Sequence, residues 1–180
     1  MAQLYSKKTA FQIAAAAIFA SLVFVATYSF MINIPATNGY FNFGEIIIYV
    51  SAFLFGPIPG ALAGGIGAMI ADSLLAPQFA LGTLIIKGIE GALVGYIFIK
   101  LSKRFQNKSI AAILATLIGG LEMVVGYFIY EQIALGFPLT VALYEIPFNL
   151  VQMSVGLVVA VPIMHAVLRV FPQLKNTINQ

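Results

Sequence analysis

Cysteine is absent from this 180-residue chain, which excludes disulfides, thiolate metal sites and thiol nucleophiles. Histidine occurs once, at His165 near the end of the last apolar run. It has no second imidazole or thiolate with which to share a metal, and it reads as an interfacial or helix-terminal side chain. Charge is scarce: Asp, Glu, Lys and Arg make up 8% of the chain, against about a quarter in a soluble globular domain. An ordinary soluble fold is therefore excluded. No G-x-x-x-x-G-K-[ST] occurs, so the chain does not itself hold ATP in a P-loop, and neither H-E-x-x-H nor G-x-S-x-G is present. Gly64-Gly65-Ile66-Gly67 lacks the adjacent Asp of an aspartyl intramembrane protease, since Asp72 comes too late. These absences leave catalysis little to stand on. The expectation is a binding or transport protein without metal or cofactor, not an enzyme.

What remains is apolar. Hydrophobic residues make up 61% of the chain, and the mean hydropathy is +1.01. At about 20 residues per span there is room for some six helices and no separate soluble domain. Unbroken apolar runs argue against a β-barrel, whose strands alternate apolar and polar. The fold class expected is all-α, a polytopic bundle of six transmembrane helices forming one domain over residues 1–180. The run 10–34 is too long for a signal-peptide core and reads as a retained first helix.

Eight of the nine basic residues fall in three places: Lys7 and Lys8; Lys100, Lys103, Arg104 and Lys108; Arg169 and Lys175. The net charge of +3 is thus a mark of topology, not of nucleic-acid binding. The positive-inside rule puts all three groups, and both termini, in the cytoplasm. An even number of crossings must then separate Lys8 from Lys100. Gly56-Pro57-Ile58-Pro59-Gly60 breaks the intervening stretch. The helices expected are 10–33, 44–56, 58–75, 80–100, 109–131 and 142–169, with the second barely long enough to span. Outer connections fall at 33–43, 76–80 and 132–141, and residues 176–180 are expected to fray.

Against this background, ionisable side chains within the apolar runs are informative, because a charge at bilayer depth is costly and normally faces a bundle interior or a wet cavity. Lys87 and Glu90 share a face of the fourth helix, either neutralising each other or presenting one partner to a ligand. Glu122 and Tyr127 lie on the fifth. Glu145, Asn149 and Gln152, spaced i, i+4, i+7, form a polar stripe on the sixth, with Pro147 inside the same turn. Amides supply donors and acceptors suited to the edge of a nitrogen heterocycle, although inter-helical bonding would use them equally well. The outer segment Asn38-Gly39-Tyr40-Phe41-Asn42-Phe43-Gly44-Glu45 reads as a lid or as an interfacial aromatic belt. The candidate substrate-binding residues are Asn42, Glu45, Lys87, Glu90, Glu122, Tyr127, Glu145, Asn149 and Gln152. On the first helix, Ala16/Ala20 and Ala17/Ser21 make a flat face for close approach, by the chain's own helices or by another membrane protein.

The Lys7-Lys8 pair with its Ala-rich first helix, the run 39–45, Leu54-Phe55-Gly56-Pro57 with 60–67, Ala71-Asp72, and 83–91 together resemble the membrane S-components of energy-coupling factor (ECF) vitamin transporters. They are most similar to the branch with riboflavin-like and hydroxymethylpyrimidine- or pyridoxine-type members. The resemblance covers essentially the whole chain and is strongest over 39–91. It implies a six-helix subunit of a bacterial plasma membrane that binds a B-vitamin or precursor near its outer face. It also implies work alongside a transmembrane coupling subunit and two cytoplasmic ATPases. Ala16, Ala17, Ala20 and Ser21 match the stretch that faces the coupling subunit in that family, Ser21 standing where alanine is usual.

Charge narrows the guest. Glu45, Asp72, Glu122, Glu131 and Glu145 fall in the outer half or its rim against Lys87 alone, which disfavours an anionic ligand. Pyridoxine or hydroxymethylpyrimidine is the first expectation, then riboflavin or thiamine. A self-sufficient proton-coupled carrier, with Glu122 as its proton site, and a non-transporting scaffold are the alternatives.

Overall fold

The computed structural model describes residues 2–174, with side chains from Thr9 onward. Lys175 and the fraying expected at 176–180 lie outside the described residues, as do the side chains of Lys7 and Lys8.

Helices α1 (Ala2–Ser29), α2 (Gly44–Phe55), α3 (Pro57–Leu62), α4 (Ala68–Leu75), α5 (Ala80–Arg104), α6 (Lys108–Ile133) and α7 (Leu139–Val170) make up almost all of the chain. A π-helical turn, Ala63–Gly67, joins α3 to α4 without a break. Among the described residues, four segments are long and apolar enough to cross a membrane: Thr9–Ser29, Pro57–Leu75, Lys108–Ile133 and Leu139–Val170. Helix α5 has the length, 25 residues, but carries Lys87 and Glu90 partway along it. Helix α2, with 12 residues, covers only about 18 Å of a roughly 30 Å hydrocarbon core.

The first helix stops earlier than hydropathy implies. It ends at Ser29, and the chain turns back as a hairpin, β1 (Met31–Ile34) against β2 (Gly39–Asn42), with Ile32 opposite Phe41 and Asn33 opposite Tyr40. The expected helix to 33 and outer loop 33–43 are corrected accordingly. The apolar run passes through Ile34 unbroken, and a short apolar segment reads alike as helix or strand. Asn38 turns the hairpin at φ 55°, a left-handed conformation that asparagine tolerates better than most residues. Gly56, at φ 88°, breaks α2 from α3, and Pro57 occupies the first turn beyond it, where its missing N–H costs nothing.

The half of the bundle nearer the α5–α6 connection is packed with apolar groups. Tyr49, Phe53 and Phe98 are fully buried with Ala111, Ala115 and Met164, and the Phe53 and Phe98 rings lie 4.8 Å apart. Helices α3 and α5 meet backbone to backbone: a methyl at Gly60 would sit 2.6 Å from the Gly91 carbonyl oxygen, a closeness that only small residues permit. Asn107 caps α6, accepting from the Ser109 N–H at 2.9 Å. Beside it, the Ser109 hydroxyl lies 2.8 Å from His165 Nε2, so that histidine is tied between the ends of α6 and α7. Helix α1 lies at the rim. Only 17% of its apolar window is buried, against 50% for Pro57–Leu75, leaving it open to lipid or a partner.

Candidate substrate cavity

In the half of the bundle that carries the hairpin, polar side chains from β2, α4, α5, α6 and α7 converge. Helix α7 turns Glu145, Asn149 and Gln152 inward as one stripe, all buried. Helix α5 does the same with Thr83, Lys87 and Glu90, again on i, i+4, i+7 spacing. Asp72 arrives from α4, Tyr127 from α6, and Tyr40 and Asn42 from β2.

Two networks result. In the first, Lys87 forms an ion pair with Glu45 of α2, and Glu90 Oε2 stands 3.4 Å from the same ammonium. Tyr49 donates to Glu90 at 2.7 Å, and Gln152 donates to Glu45 at 3.0 Å while accepting from the Asn42 N–H at 3.0 Å. The Lys87 ammonium also sits 5.5 Å from the centre of the Tyr127 ring. In the second, the hydroxyls of Tyr40 and Thr83 both donate to Asp72, and Thr83 lies 2.8 Å from the Tyr127 hydroxyl. Burial, then the neighbouring Asp72 carboxylate, pushes the Tyr40 phenol well above its ordinary value, so it remains a donor. A third tie joins the Thr37 hydroxyl to Glu145, whose carboxyl also lies against that of Glu131. The hairpin is thus latched to α4 through Tyr40 and to α7 through Thr37 and Asn42.

The hollow between these groups has a volume of about 40 Å³, room for a few waters. Phe79 and the Tyr40 and Tyr127 rings supply flat faces, and Asp72, Lys87, Glu145, Asn149 and Gln152 the polar edge. Asn149 differs from its neighbours. Among the described residues its amide makes no hydrogen bond to the protein, although it is 92% buried (8% exposed) and lines the hollow.

Of the nine candidate residues, Asn42, Lys87, Tyr127, Glu145, Asn149 and Gln152 line the cavity. Glu45 and Glu90 stand behind Lys87 and hold it. Glu122 is apart from the lining: its side chain points beside Gly126, with one oxygen buried and unpartnered. The reason is angular, since Tyr127 lies five residues on, about 140° around α6, and it is Tyr127 that faces inward. The pairing of Lys87 with Glu90 alone also gives way, because Glu45 reaches the ammonium from another helix. Tyr40, Asp72 and Phe79 line the cavity too, beyond the nine candidates. Thr83, which ties Asp72 to Tyr127, carries a sequence signal: it precedes Lys87 by four residues and so shares its face. For Phe79, in the turn before α5, the sequence holds no such pattern.

A second concavity lies across the molecule. Ala16, Ala17, Ala20 and Ser21 of α1, with Leu62, Ile66 and Ile70 of the adjoining span, border an apolar groove of about 490 Å³. Ser21 donates to the Ala17 carbonyl at 2.9 Å, so its hydroxyl adds no free polarity. Ala17 and Ser21 are exposed, whereas Ala16 is buried.

The family model of the ECF-type riboflavin transporter S component matches residues 7–169. A relative from Pyrococcus woesei, described as an uncharacterized protein in the gap 3′ region, is 47% identical over 105 residues, 58% of this chain and 68% of its own length. The chain belongs to the family of ECF-type riboflavin transporter S components and is a multi-pass, substrate-binding membrane subunit of a vitamin transporter.

Proposed function

We propose that this subunit captures a small, uncharged or weakly basic ring compound of the B-vitamin class in the cavity beneath the hairpin. The first choice is pyridoxine or hydroxymethylpyrimidine. The observation that carries this reading is the unpaired Asn149 amide, set among carboxylates and aromatic faces. Amide and carboxylate groups can accept from hydroxymethyl or amino protons, and Tyr40, Phe79 or Tyr127 can stack on a ring. Glu45 and Glu90 already engage the lone cation, Lys87, so a phosphate or carboxylate guest would meet carboxylates without a free counter-charge. The hollow falls far short of the roughly 300–1,000 Å³ of ordinary ligand pockets. A ring therefore enters only when the hairpin lifts, and a single ring demands the smallest opening. A second reading, riboflavin, is favoured by the family's description; thiamine ranks with it.

The rest of the proposal rests on family membership and charge placement. The chain crosses the plasma membrane six times with both termini in the cytoplasm, α2 and α5 joining the four apolar spans. It works with a transmembrane coupling subunit, which docks on the α1 groove, and with two ATPases that hydrolyse ATP. Calorimetry on the purified protein with pyridoxine, hydroxymethylpyrimidine, thiamine and riboflavin, each beside its phosphate ester, tests the substrate. Saturable binding of a single-ring, unphosphorylated compound is expected. Preference for the phosphate esters would overturn the charge argument, and exclusive binding of riboflavin would select the second reading.

A further inference from the structure

The π-helical turn Ala63–Gly67 lies between the two concavities and touches the walls of both. On one side, a methyl at Gly64 would sit 2.5 Å from the Lys87 carbonyl oxygen, and one at Gly65 would sit 2.8 Å from that of Leu84. The turn therefore rests directly on the stretch of α5 that carries Lys87 into the cavity. On the other side, Gly67 abuts the carbonyl of Ala20 and the side chain of Val23 on α1. The floor of the α1 groove straddles the turn: Leu62 precedes it, Ile66 is within it and Ile70 follows it. Beyond Ile70 the same span delivers Asp72 to the cavity, where it accepts from Tyr40 and Thr83.

A π turn closes its hydrogen bonds over i→i+5 in place of i→i+4 and occurs mostly as a single widened turn inside an α-helix, frequently at functional sites, so it marks a place where a helix can change its winding. Tightening it toward α geometry rotates α4 against α3 about their common axis. Such a rotation would move Asp72 relative to Lys87 at one end and Ile70 relative to Leu62 on the groove floor. The glycines let the turn lie directly on the backbone of Lys87, Leu84 and Ala20, so a change in its winding is felt at once by both α5 and α1.

We infer that the π turn couples the cavity to the α1 groove: a change at Asp72 alters the winding of the turn and reshapes the groove floor. The inference takes from the proposed function only that the groove is a docking face; the coupling itself is between two concavities of this chain. A guest that takes over Asp72 from the Tyr40 hydroxyl provides the natural trigger. Energetic coupling requires an element with two arrangements that both sites bias, and this turn is placed to be one.

The lack of native cysteine supplies a clean probe. Ile66→Cys reports on the groove floor and Ile118→Cys, on the exposed side of α6, serves as reference. Maleimide labelling of each is measured in the full-length protein, with and without Asp72→Asn. The Asp72 change is expected to alter the Ile66→Cys rate by about fivefold or more, the lower range of allosteric coupling, and to leave the Ile118→Cys rate unchanged. An unaltered rate at Ile66→Cys overturns the inference, and so does an equal change at both positions, which would mean general loosening. In a second arm, pyridoxine and riboflavin are added to the Asp72 protein. A compound that binds by calorimetry yet leaves Ile66→Cys labelling unaltered overturns the coupling. Failure of every compound to bind would count against the substrate reading alone, and the Asp72→Asn comparison would still decide the role of the turn.

Discussion

The cavity beneath the hairpin and the α1 groove lie in the same small bundle, yet they are built from opposite materials. The cavity gathers Asp72, Lys87, Glu145, Asn149 and Gln152, groups that hydrocarbon tolerates only when they are paired or wet. The groove is framed by alanines, aliphatic side chains and the ring of Phe24, its single hydroxyl turned back on its own helix. As the proposed binding site, the first surface would discriminate between guests, because an unsuitable one leaves buried polar groups unpaired. The second can only offer shape, since lipid tails are as apolar as any partner and close approach of small residues drives association. A membrane protein can thus separate recognition of a solute from recognition of another subunit by polarity.

Substitutions can break this contrast at several strengths. Lys87→Ala should do the most damage. It leaves Glu45 and Glu90 buried without their shared cation, and losing one partner of a buried pair costs about 3–5 kcal/mol. Both thermal stability in detergent and ligand binding should fall sharply. The double change Lys87→Met with Glu45→Gln should recover much of the stability and none of the binding. If the single variant melts like the native protein, the ion pair does not hold the cavity wall.

Asn149→Ala separates binding from folding. The amide makes no hydrogen bond among the described residues, so its removal should leave the melting temperature nearly unmoved. The loss of one or two bonds to a guest, about 1–2 kcal/mol, should lower affinity roughly 5- to 30-fold. Gln152→Ala is the counterpart, expected to lower both, because Gln152 bridges the hairpin to Glu45. Equal melting losses in the two variants would show that Asn149 has a structural partner after all.

These residues also show what the sequence could and could not convey. The α7 stripe was legible because Glu145, Asn149 and Gln152 repeat with helical period inside an apolar run, where a polar side chain is costly unless it faces something polar. The α1 face was legible for the same kind of reason, as small residues recurring at one spacing. The hairpin was not, because Met31–Ile34 is as apolar as the helix before it and hydropathy carries no mark of the change in backbone. The π turn was hidden in another way: Ala63–Gly67 looks like any glycine-rich helix until its contacts with Lys87 and Ala20 are seen. The pairing of Lys87 with Glu45 spans two helices, and no local spacing encodes it.

Across the molecule, Ala17→Trp should have the reverse profile to Asn149→Ala. Ala17 is exposed on the groove, so a large ring there obstructs docking while the cavity stays intact. Ala16 suits this test less well, because it is buried and a tryptophan would disturb α1 itself. Ligand affinity should be unchanged in calorimetry, and the coupling subunit should no longer co-purify. A complex that survives Ala17→Trp would remove the groove as the docking face.

The smallest effect belongs to Ser21→Ala. Its hydroxyl is already satisfied by the Ala17 carbonyl, so losing it should shift stability by no more than about 0.5 kcal/mol. Binding and co-purification should both stay at native levels. That lack of effect would be informative because it separates smallness from hydrogen bonding on the same face. If Ser21→Ala instead weakens assembly, the groove recognises its partner through a polar contact, and the division between a polar cavity and an apolar dock would have to be redrawn around that hydroxyl.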